Sequence, residues 1–496
     1  MNDAPPPPAV DIGTRAARGT AWSLGGQLVS QVLRLASNLV LTRLLAPEAF
    51  GLMALVVAVT QGLQLISDVG IWQAIVGSQR GDDRDFLDTA WTLHVVRGFG
   101  LFAIGCAAAW PASVFYGRPE LLWMLPLCSF QAVLMGVEST KTAQETRHLR
   151  VGRVVLMDLS MQTVGLCVSI PVAIHTHSPV ALVVASLAGS AVRTALSHFF
   201  LPGTLNRLRW DPAATREILS FGRFVFVSTI FYFLGTKYDV FALGRLEGMG
   251  VIGVYGIGLT IVGVPQQMCE RVTYSVLMPA LAERFRESPE RFHADLEKAR
   301  AILLPAAAVL FLGAAMCAPA FFRLLYPAAY DDAGWMVQLL VLTTWCMFLQ
   351  ESTGRAHMAL GNSGPLAIAN AARLVATIAA TSAGFYLGAQ LPTKLGPMMG
   401  FMIGNSVGAL TGAVVIGAFM RKHGVHIGLL DLIATAAFVA VGLVGCGVPV
   451  LVARETGLPA PYLTLVSVVV VLGPIAIVVA RRTRAALRAS RAAAAP

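Results

Sequence analysis

Long apolar segments separated by short polar ones run along almost the whole chain. Fourteen of these segments have about 20 residues or somewhat more, the length with which a helix crosses about 30 Å of hydrocarbon. The pattern therefore predicts an all-α integral membrane protein with fourteen transmembrane helices. The predicted spans are 20–43, 50–76, 89–109, 119–139, 154–174, 179–201, 219–243, 251–280, 300–322, 333–354, 364–388, 395–419, 428–452 and 462–480.

Composition agrees with this pattern and excludes an ordinary soluble domain. Apolar residues make up 56% of the 496 residues and charged residues only 13%, whereas soluble domains have about 25% charged residues. The net charge of +10 is not gathered into one basic stripe, so it does not indicate a nucleic-acid partner. With a cytoplasmic N-terminus, 24 Lys and Arg residues fall in cytoplasmic segments and 6 in outer loops. The positive-inside rule therefore places both termini in the cytoplasm.

A corner between two helices is repeated 202 residues later in the chain. At the same offset of 202 residues, Gln64 corresponds to Gln266 and Asp68 corresponds to Glu270. Six helices separate the two corners, so a parallel repeat of two six-helix lobes follows, unless these residues only mark helix ends common to membrane proteins. The repeated corner residues are Leu41, Arg43, Leu44 and Gly51, which recur as Leu243, Arg245, Leu246 and Gly253.

The repeat gives the predicted domain organisation. The two lobes lie between tails, and the last two helices lie outside the 6 + 6 core. The predicted segments are a disordered cytoplasmic tail at 1–19, an N-lobe at 20–210, a C-lobe at 211–425, the last two helices at 426–480 and a basic cytoplasmic tail at 481–496.

Cations within the predicted spans are candidates for substrate binding, because each needs a partner or a wet cavity in the bilayer. Arg34 and Lys237 lie well inside equivalent helices of the two lobes, where they would form one cationic site. The alternative is a structural ion pair with Asp239 or Asp68. Arg97 and Arg271 are also candidates, although snorkelling toward the cytoplasmic side would explain them as well. The other in-span cations are Arg193, Arg223 and Arg373.

A polar stripe on the first helix supports a ligand-binding cavity. Gln27, Gln31, Arg34 and Asn38 follow one another at spacings of four, three and four, which places them on one helix face. The stripe lines either a cavity or a helix contact. Arginine donates two parallel hydrogen bonds to phosphate oxygens, and the amides suit sugar hydroxyls. A phosphorylated or pyrophosphorylated lipid therefore fits such a cavity, whereas a cationic drug is repelled.

Intramembrane acids are candidates for ion coupling. Asp68, Asp239 and Glu270 either neutralise the arginines or carry a proton or sodium ion, and the sequence leaves both roles open. An H⁺ or Na⁺ gradient is thus the predicted energy source, and no cofactor or metal site is predicted. No Gly-Lys dipeptide and no H-E-x-x-H motif occurs. Because no segment is large enough for a soluble catalytic domain, the sequence predicts a protein that is not an enzyme.

Several stretches resemble one family of transporters. They are R-G-T-A-W-S-L-G-G-Q-L near the start, L-T-R-L-L-A-P-E-A-F-G-L-M-A-L at 41–55 and S-D-V-G-I-W-Q-A-I at 67–75, with T-A-W-T-L-H, F-Y-G-R-P-E-L and S-T-K-T-A-Q-E-T-R further on. Together they resemble Wzx/WzxC-type oligosaccharide flippases of the multidrug/oligosaccharidyl-lipid/polysaccharide (MOP) exporter superfamily. The likeness covers most of the first lobe clearly and the second lobe by pattern.

The resemblance implies a fold and a substrate. It implies two six-helix bundles around a central cavity, alternating access, and an oligosaccharide on undecaprenyl pyrophosphate as the substrate. The function would be flipping across the bacterial inner membrane for exopolysaccharide, capsule or O-antigen assembly, beside membrane lipids and the polymerase or export machinery. A lipid II flippase and a MATE-type cation/drug antiporter are the alternatives. The first helix carries Arg34 and no acid, which argues against the drug-exporting branch.

Overall fold

The computed structural model describes residues 12–67, 70–222, 225–273, 292–359, 364–393, 395–421, 427–456 and 460–481. All regular elements in these ranges are helices, which confirms the predicted all-α fold. The helices in chain order are α1 (Ile12–Leu44), α2 (Pro47–Ile66), α3 (Ile71–Gly77), α4 (Arg84–Tyr116), α5 (Leu121–Val137), α6 (Lys141–Arg147), α7 (Val151–Thr176), α8 (Val180–Phe199), α9 (Pro212–Gly222), α10 (Val225–Leu246), α11 (Met249–Val272), α12 (Phe292–Leu325), α13 (Ala333–Ala359), α14 (Gly364–Gly388), α15 (Gly396–Arg421), α16 (Ile427–Thr456) and α17 (Ala460–Ser467).

Ten helices of the described ranges are long and apolar enough to cross a membrane, or eleven if α5 and α6, bent by 61°, form one span. The protein is therefore a multi-pass membrane protein. Helices also occupy the other predicted spans: α1, α10, and α17 with the apolar helix Val468–Arg481 that follows it. Polar residues in α1 and α10 lower their apolar character, and the full count of fourteen stays a prediction.

Two predicted segments differ from the helices that form. The predicted span 50–76 is broken into α2 and α3, because Gly70 adopts a left-handed conformation with φ 74°. Glycine reaches this region without the penalty that a Cβ atom imposes. At the start of the chain, α1 begins at Ile12, so the end of the segment predicted as a disordered tail is helical.

The repeated corner has the same helix boundaries in both places. Helix α1 ends at Leu44 and α2 begins at Pro47, whereas α10 ends at Leu246 and α11 begins at Met249. Both boundaries are displaced by the same 202 residues as the sequence match. The gap before α11 contains Gly248, whose φ of 92° again favours glycine. The repeat is thus present in local structure as well as in sequence.

The chain forms two compact units. The first comprises Met1–Thr229 with Gly244–Met249, and the second comprises Ile230–Leu243 with Gly250–Pro496. We refer to them as the N-terminal unit and the C-terminal unit. Helices α16 and α17 belong to the C-terminal unit, whereas the sequence places them outside the core of two lobes.

Small residues let helices approach closely in the N-terminal unit. A Cβ atom on Gly98 of α4 would lie 2.5 Å from the carbonyl oxygen of Ala132, and one on Gly136 would lie 2.7 Å from that of His94. Close backbone contact of this kind is the usual basis of helix packing in membranes. At one end of the unit, Ala214 and Ile218 of α9 are buried in an apolar cluster with residues of α3 and α4.

In the C-terminal unit, helices pack through glycines and through a hydrogen-bonded tryptophan. Helices α14 and α15 pack through glycines, among them Gly384 against Gly400. On the other side of the unit, Trp345 of α13 stacks on Phe438 of α16 with ring centroids 4.5 Å apart. The Trp345 indole also donates to Thr435 Oγ1 at 3.1 Å. Both contacts bind α16 tightly to this unit.

Candidate functional site

The polar stripe on α1 lies on one helix face, as its spacing predicts. In an α-helix the four positions fall within about 60° of arc. Gln31 is buried, Gln27 and Asn38 are half-buried, and Arg34 is exposed. Gln27 and Gln31 have interaction partners, whereas Arg34 makes no hydrogen bond or ion pair with any residue that the structure describes.

Helix α7 holds α1 in place through a polar contact beside this stripe. Ser30 Oγ donates to Gln162 Oε1 at 2.9 Å, and Gln162 Nε2 lies 2.7 Å from Ser30 Oγ. Ser30 is buried, so the contact satisfies a hydroxyl that would otherwise be costly within the unit. This contact joins α1 to α7, and Arg34, one turn after Ser30 on the same face of α1, remains exposed.

Arg97 binds the end of a neighbouring helix. Its Nη2 atom donates to the carbonyl oxygen of Gln64 at 2.6 Å, and its Nε atom donates to Ser67 Oγ at 2.9 Å. These acceptors belong to the last turn and C-cap of α2, where carbonyl groups lack helical partners and a cation is favourable. Arg97 therefore has a structural role as well as a place on a cavity wall.

A cavity of about 240 Å³ lies beside Arg97 in the N-terminal unit. Helices α2 to α6 and α8 form its wall. Its apolar part includes Trp72, Leu101 and Met135. Its polar residues are Gln64, His94, Arg97, Glu138, Ser139, Thr140, Thr142 and Arg193.

Arg193 is the centre of an ion triad at the edge of this cavity. Its Nε atom donates to Asp158 Oδ1 at 2.9 Å, and its Nη1 atom bonds Glu138 Oε2. The sequence places Arg193 within a predicted span but does not indicate its partners. Because 55 residues separate Glu138 from Arg193, only the packing of α5, α7 and α8 brings the three charges together.

In the C-terminal unit, Asp239 of α10 is buried and fully engaged. Tyr255 donates its hydroxyl to Asp239 Oδ2 at 2.5 Å, and the Val240 amide donates to Oδ1 at 2.8 Å. Asn405 of α15 hydrogen-bonds the same tyrosine hydroxyl. Lys237 lies half-buried on the same helix, and its charge interacts with the Asp239 carboxylate without a direct hydrogen bond.

A second group of charges in this unit surrounds Tyr232. Glu270 accepts from Gln266 at 2.8 Å across one turn of α11, so the two residues lie on one face of that helix. Glu351 accepts from Arg355 at 3.4 Å, and the charge of Glu351 acts on Tyr232 together with that of Glu270.

Two further arginines take part in this unit. Arg373, buried to 4% exposure, donates to the Gly235 carbonyl oxygen at 3.2 Å, while its Nε atom has no hydrogen-bond partner. Arg271 is half-buried in the last turn of α11 and has a partner.

A buried pair that the sequence does not predict connects α12 and α16. Arg300 Nη2 bonds Asp431 Oδ1, while its Nη1 atom donates to Ser352 Oγ at 3.0 Å and Thr353 Oγ1 at 2.9 Å. Arg300 and Asp431 are 5% and 3% exposed. Arg300 is the first residue of the predicted span 300–322, but it lies well inside α12, where a carboxylate and two hydroxyls replace its water shell.

The predicted site residues thus fall into separate groups. Arg34 and Arg97 belong to the N-terminal unit, whereas Lys237, Asp239 and Glu270 belong to the C-terminal unit. The joint site of Arg34 and Lys237 stays a prediction, and Asp68 lies outside the described residues.

Comparison with known proteins identifies relatives for part of the chain. A family model described as "Polysaccharide biosynthesis protein" matches residues 40–334. The chain is 24% identical to the amylovoran biosynthesis protein AmsL of Erwinia amylovora, over 55% of this chain and 69% of that protein. It is 23% identical to the lipopolysaccharide biosynthesis protein WzxC of Escherichia coli K12, and the match covers 58% of each chain. The match to WzxC thus spans less than two thirds of that relative.

Solved structures share the fold at low identity. The lipid II flippase MurJ in an inward closed conformation superposes with a TM-score of 0.69 at 10% identity, over 93% of this chain and 99% of that one. An inward-facing MATE-family multidrug resistance transporter gives a TM-score of 0.60 at 17% identity, over 82% of this chain and 95% of that one. This chain therefore has the fold of the MOP superfamily.

Proposed function

The chain belongs to the family of polysaccharide biosynthesis proteins, and we propose that it flips a lipid-linked oligosaccharide across the membrane. Relatives named for amylovoran, lipopolysaccharide and succinoglycan biosynthesis support this proposal. The substrate would be an oligosaccharide on undecaprenyl pyrophosphate, used for exopolysaccharide, capsule or O-antigen.

Arg34 is the observation that carries the proposal. It is an exposed cation well inside α1, and the described residues provide no acid to pair with it. A guanidinium within the bilayer needs water or an anion. A pyrophosphate offers oxygens that accept two parallel hydrogen bonds from the guanidinium fork. The half-buried amides of Gln27 and Asn38 on the same face would bind sugar hydroxyls.

We propose Lys237 of the C-terminal unit as a further cation for anion binding. Lys237 is half-buried whereas Arg34 is exposed, so we assign it a weaker contribution to anion binding than Arg34. Asp239 and Glu270 are the proposed coupling residues for an H⁺ or Na⁺ gradient. Both carboxylates accept hydrogen bonds from uncharged donors, Asp239 from Tyr255 and Glu270 from Gln266. Protonation of either carboxylate would therefore not break a bonded ion pair.

The remaining features of the proposal follow from the sequence. The protein would act by alternating access in the bacterial inner membrane, with both termini in the cytoplasm and without enzymatic activity. Its partners would be the lipid-linked substrate, membrane lipids and the polysaccharide polymerase or export machinery. A lipid II flippase and a cation/drug antiporter are the competing functions. The fold suits all three, but Arg34 disfavours a cationic substrate.

The experiment uses purified protein in liposomes with a fluorescent polyprenyl-pyrophosphate oligosaccharide on one leaflet. We expect its appearance on the other leaflet, accelerated by an imposed H⁺ or Na⁺ gradient. Loss of one charge-assisted hydrogen-bonding group costs about 1.5–3 kcal/mol, so Arg34→Gln should lower the rate about 10- to 100-fold. Lys237→Gln should lower it less.

Arg323→Gln is the matched control, because Arg323 is an exposed cation in the last turn of α12. It should transport at the wild-type rate. Unchanged transport in the Arg34→Gln/Lys237→Gln double variant would contradict the assigned site. Uptake of an organic cation without any movement of the labelled lipid would contradict the proposed function.

A further inference from the structure

An ordered non-helical segment joins α8 to α9. We call residues 200–211 the strap. It contains the run Leu205, Asn206, Arg207, Leu208, Arg209 and Trp210. Its sequence alternates apolar and basic side chains, and no helix or strand pairs its backbone.

The backbone of the strap is fixed to the first turns of α4. The amide of Arg207 donates to Asp88 Oδ1 at 3.0 Å, and that of Arg209 donates to Thr92 Oγ1 at 2.9 Å. The amide of Asp211 donates to Thr89 Oγ1 at 3.2 Å. Three amides bound to one helix face give the strap a defined position.

Most apolar side chains of the strap point outward, whereas Leu201 is buried. Leu205 is 59% exposed, Leu208 71% and Trp210 57%, and Phe199 at the end of α8 is 87% exposed. Lipid-facing positions of a spanning helix are expected to be exposed, which accounts for Phe199, but Leu205, Leu208 and Trp210 are not on a spanning helix. An exposed apolar patch of this kind indicates a binding partner.

The length of α4 places the strap at the membrane surface. Helix α4 has 33 residues and is about 50 Å long, which exceeds the hydrocarbon thickness of about 30 Å. From Val96 to the end at Tyr116 the helix measures about 30 Å. Val96 and Phe99 are exposed, as lipid-facing residues should be. The strap contacts α4 at Asp88 to Thr92, just outside this apolar stretch.

Exposed cations on and beside the strap favour an anionic partner, although Asp85 and Asp211 carry the opposite charge nearby. Arg207, Arg209 and Arg216 are all exposed. Arg209 pairs with Asp85 at 2.7 Å, and both side chains remain about half-exposed. Tryptophan and arginine are the residues that settle at the headgroup level of a bilayer. We propose that the strap docks on the membrane interface and binds anionic phospholipid headgroups through these three arginines.

Docking there has a consequence for the N-terminal unit. Asn206 Oδ1 accepts from Ser139 Oγ at 2.9 Å and from the Thr140 amide at 3.1 Å. Its Nδ2 atom donates to Thr140 Oγ1 at 2.8 Å. Ser139 and Thr140 line the cavity beside Arg97, so an anionic lipid on the strap would stabilise the wall of this cavity.

Quenching of Trp210 fluorescence tests the proposal. Full-length protein is placed in nanodiscs with equal phosphatidylglycerol and phosphatidylcholine, and bromine is carried by one lipid at a time. The spectrum of Trp210→Phe is subtracted to isolate Trp210 from the other tryptophans. An arginine near an anionic surface enriches anionic lipid about fivefold. Brominated phosphatidylglycerol should therefore quench Trp210 several-fold more than brominated phosphatidylcholine.

In the variant Arg207→Gln/Arg209→Gln/Arg216→Gln, the two brominated lipids should quench Trp210 to the same extent, and Trp210 should remain quenched by both. High salt should act in the same direction, because it screens exposed charges. Arg118→Gln/Arg323→Gln/Arg454→Gln removes equal charge from predicted outer ends and should keep the preference. Equal quenching in the wild type, or an unchanged preference in the strap variant, would overturn anionic lipid binding. No quenching by either lipid would show that the strap does not meet the bilayer.

Discussion

Arg34 and Arg300 are both arginines in helices of a membrane protein, but their surroundings are opposite. Arg34 is exposed on α1 and has no described partner. Arg300 is 5% exposed on α12, where Asp431, Ser352 and Thr353 accept its hydrogen bonds. The first charge is available to a ligand, whereas the second is balanced within the fold. The neighbours of an intramembrane cation, rather than its presence, therefore indicate its role.

Lys237 lies between these two extremes. It is half-buried on α10, two residues before Asp239, and makes no direct hydrogen bond to that carboxylate. Its helix is equivalent to α1 in the repeat, but Arg34 falls on Thr236 at the offset of 202, so the two cations occupy different positions on their helices. The two units are thus alike in helix boundaries and different in how they hold charge.

The largest expected effect concerns the stability of the buried pair. Removing one partner of a buried ion pair leaves an uncompensated charge and costs about 3–5 kcal/mol, whereas replacing both partners by apolar residues is close to neutral. Arg300→Met and Asp431→Leu should each lower the unfolding temperature, and the double variant should recover it. Arg34→Met should leave the temperature unchanged. Thermal unfolding in detergent, followed by tryptophan fluorescence, measures all four variants.

Two outcomes would reverse the comparison. If the double variant were as unstable as the single ones, the loss would come from packing of the long side chains and not from the unpaired charge. If Arg34→Met were destabilised as strongly as Arg300→Met, Arg34 would have a structural partner, and its place in the substrate site would be lost.

Periodicity and local signals predict much of the fold. The segment lengths give the helices, and the repeated corner gives boundaries displaced by a constant 202 residues. The break between α2 and α3 had a signal in Gly70, which a purely apolar criterion ignores. Helix α4 begins at Arg84, five residues before the predicted span. The sequence signal for this start is Asp83, whose side chain caps the helix by accepting from the Asp85 amide at 3.1 Å.

The partners of the intramembrane charges are not predictable in this way. Arg193 meets Glu138 and Asp158 from three different helices, and Arg300 meets Asp431 over a separation of 131 residues. Spacing along one helix defines which residues share its face, as it does for Gln27 and Asn38. It does not define which other helix packs there. Long-range pairing depends on packing, which a single sequence does not encode locally.

A smaller effect is expected at Asp239, whose carboxylate is held without a bonded cation. Tyr255→Phe removes one of its two described donors, so we expect a loss of about 1–3 kcal/mol. Tyr326→Phe is the matched control, because the buried Tyr326 hydroxyl has no hydrogen-bond partner and its removal should cost little. Unfolding temperature and transport rate are measured for both variants. A Tyr255→Phe variant that keeps its stability and its response to an ion gradient would remove Asp239 from the coupling candidates.

The smallest effect concerns an exposed cluster outside the spans. Desolvation raises the pKa of Asp82, but hydrogen bonds and charges from His148 and Arg147 outweigh it and lower the pKa below its usual value. A carboxylate whose pKa is lower in the folded state than in the unfolded state stabilises the fold. This stabilisation is complete at a pH above the unfolded-state pKa of about 4 and is lost as the pH falls through the folded-state pKa. Because Asp82 is about half-exposed, solvent screening limits the gain to about 0.5 kcal/mol or less.

Unfolding temperatures between pH 3 and pH 6 test this contribution, with Asp82→Asn as the variant. The variant should be slightly less stable than the wild type near pH 6, and the difference should vanish toward pH 3. A constant difference between Asp82→Asn and the wild type over the whole range would mean that Asp82 acts through the shape of its turn and not through its charge. The exposed cluster would then differ from Arg300 and Asp431 in kind, since charge balance would matter only where water is excluded.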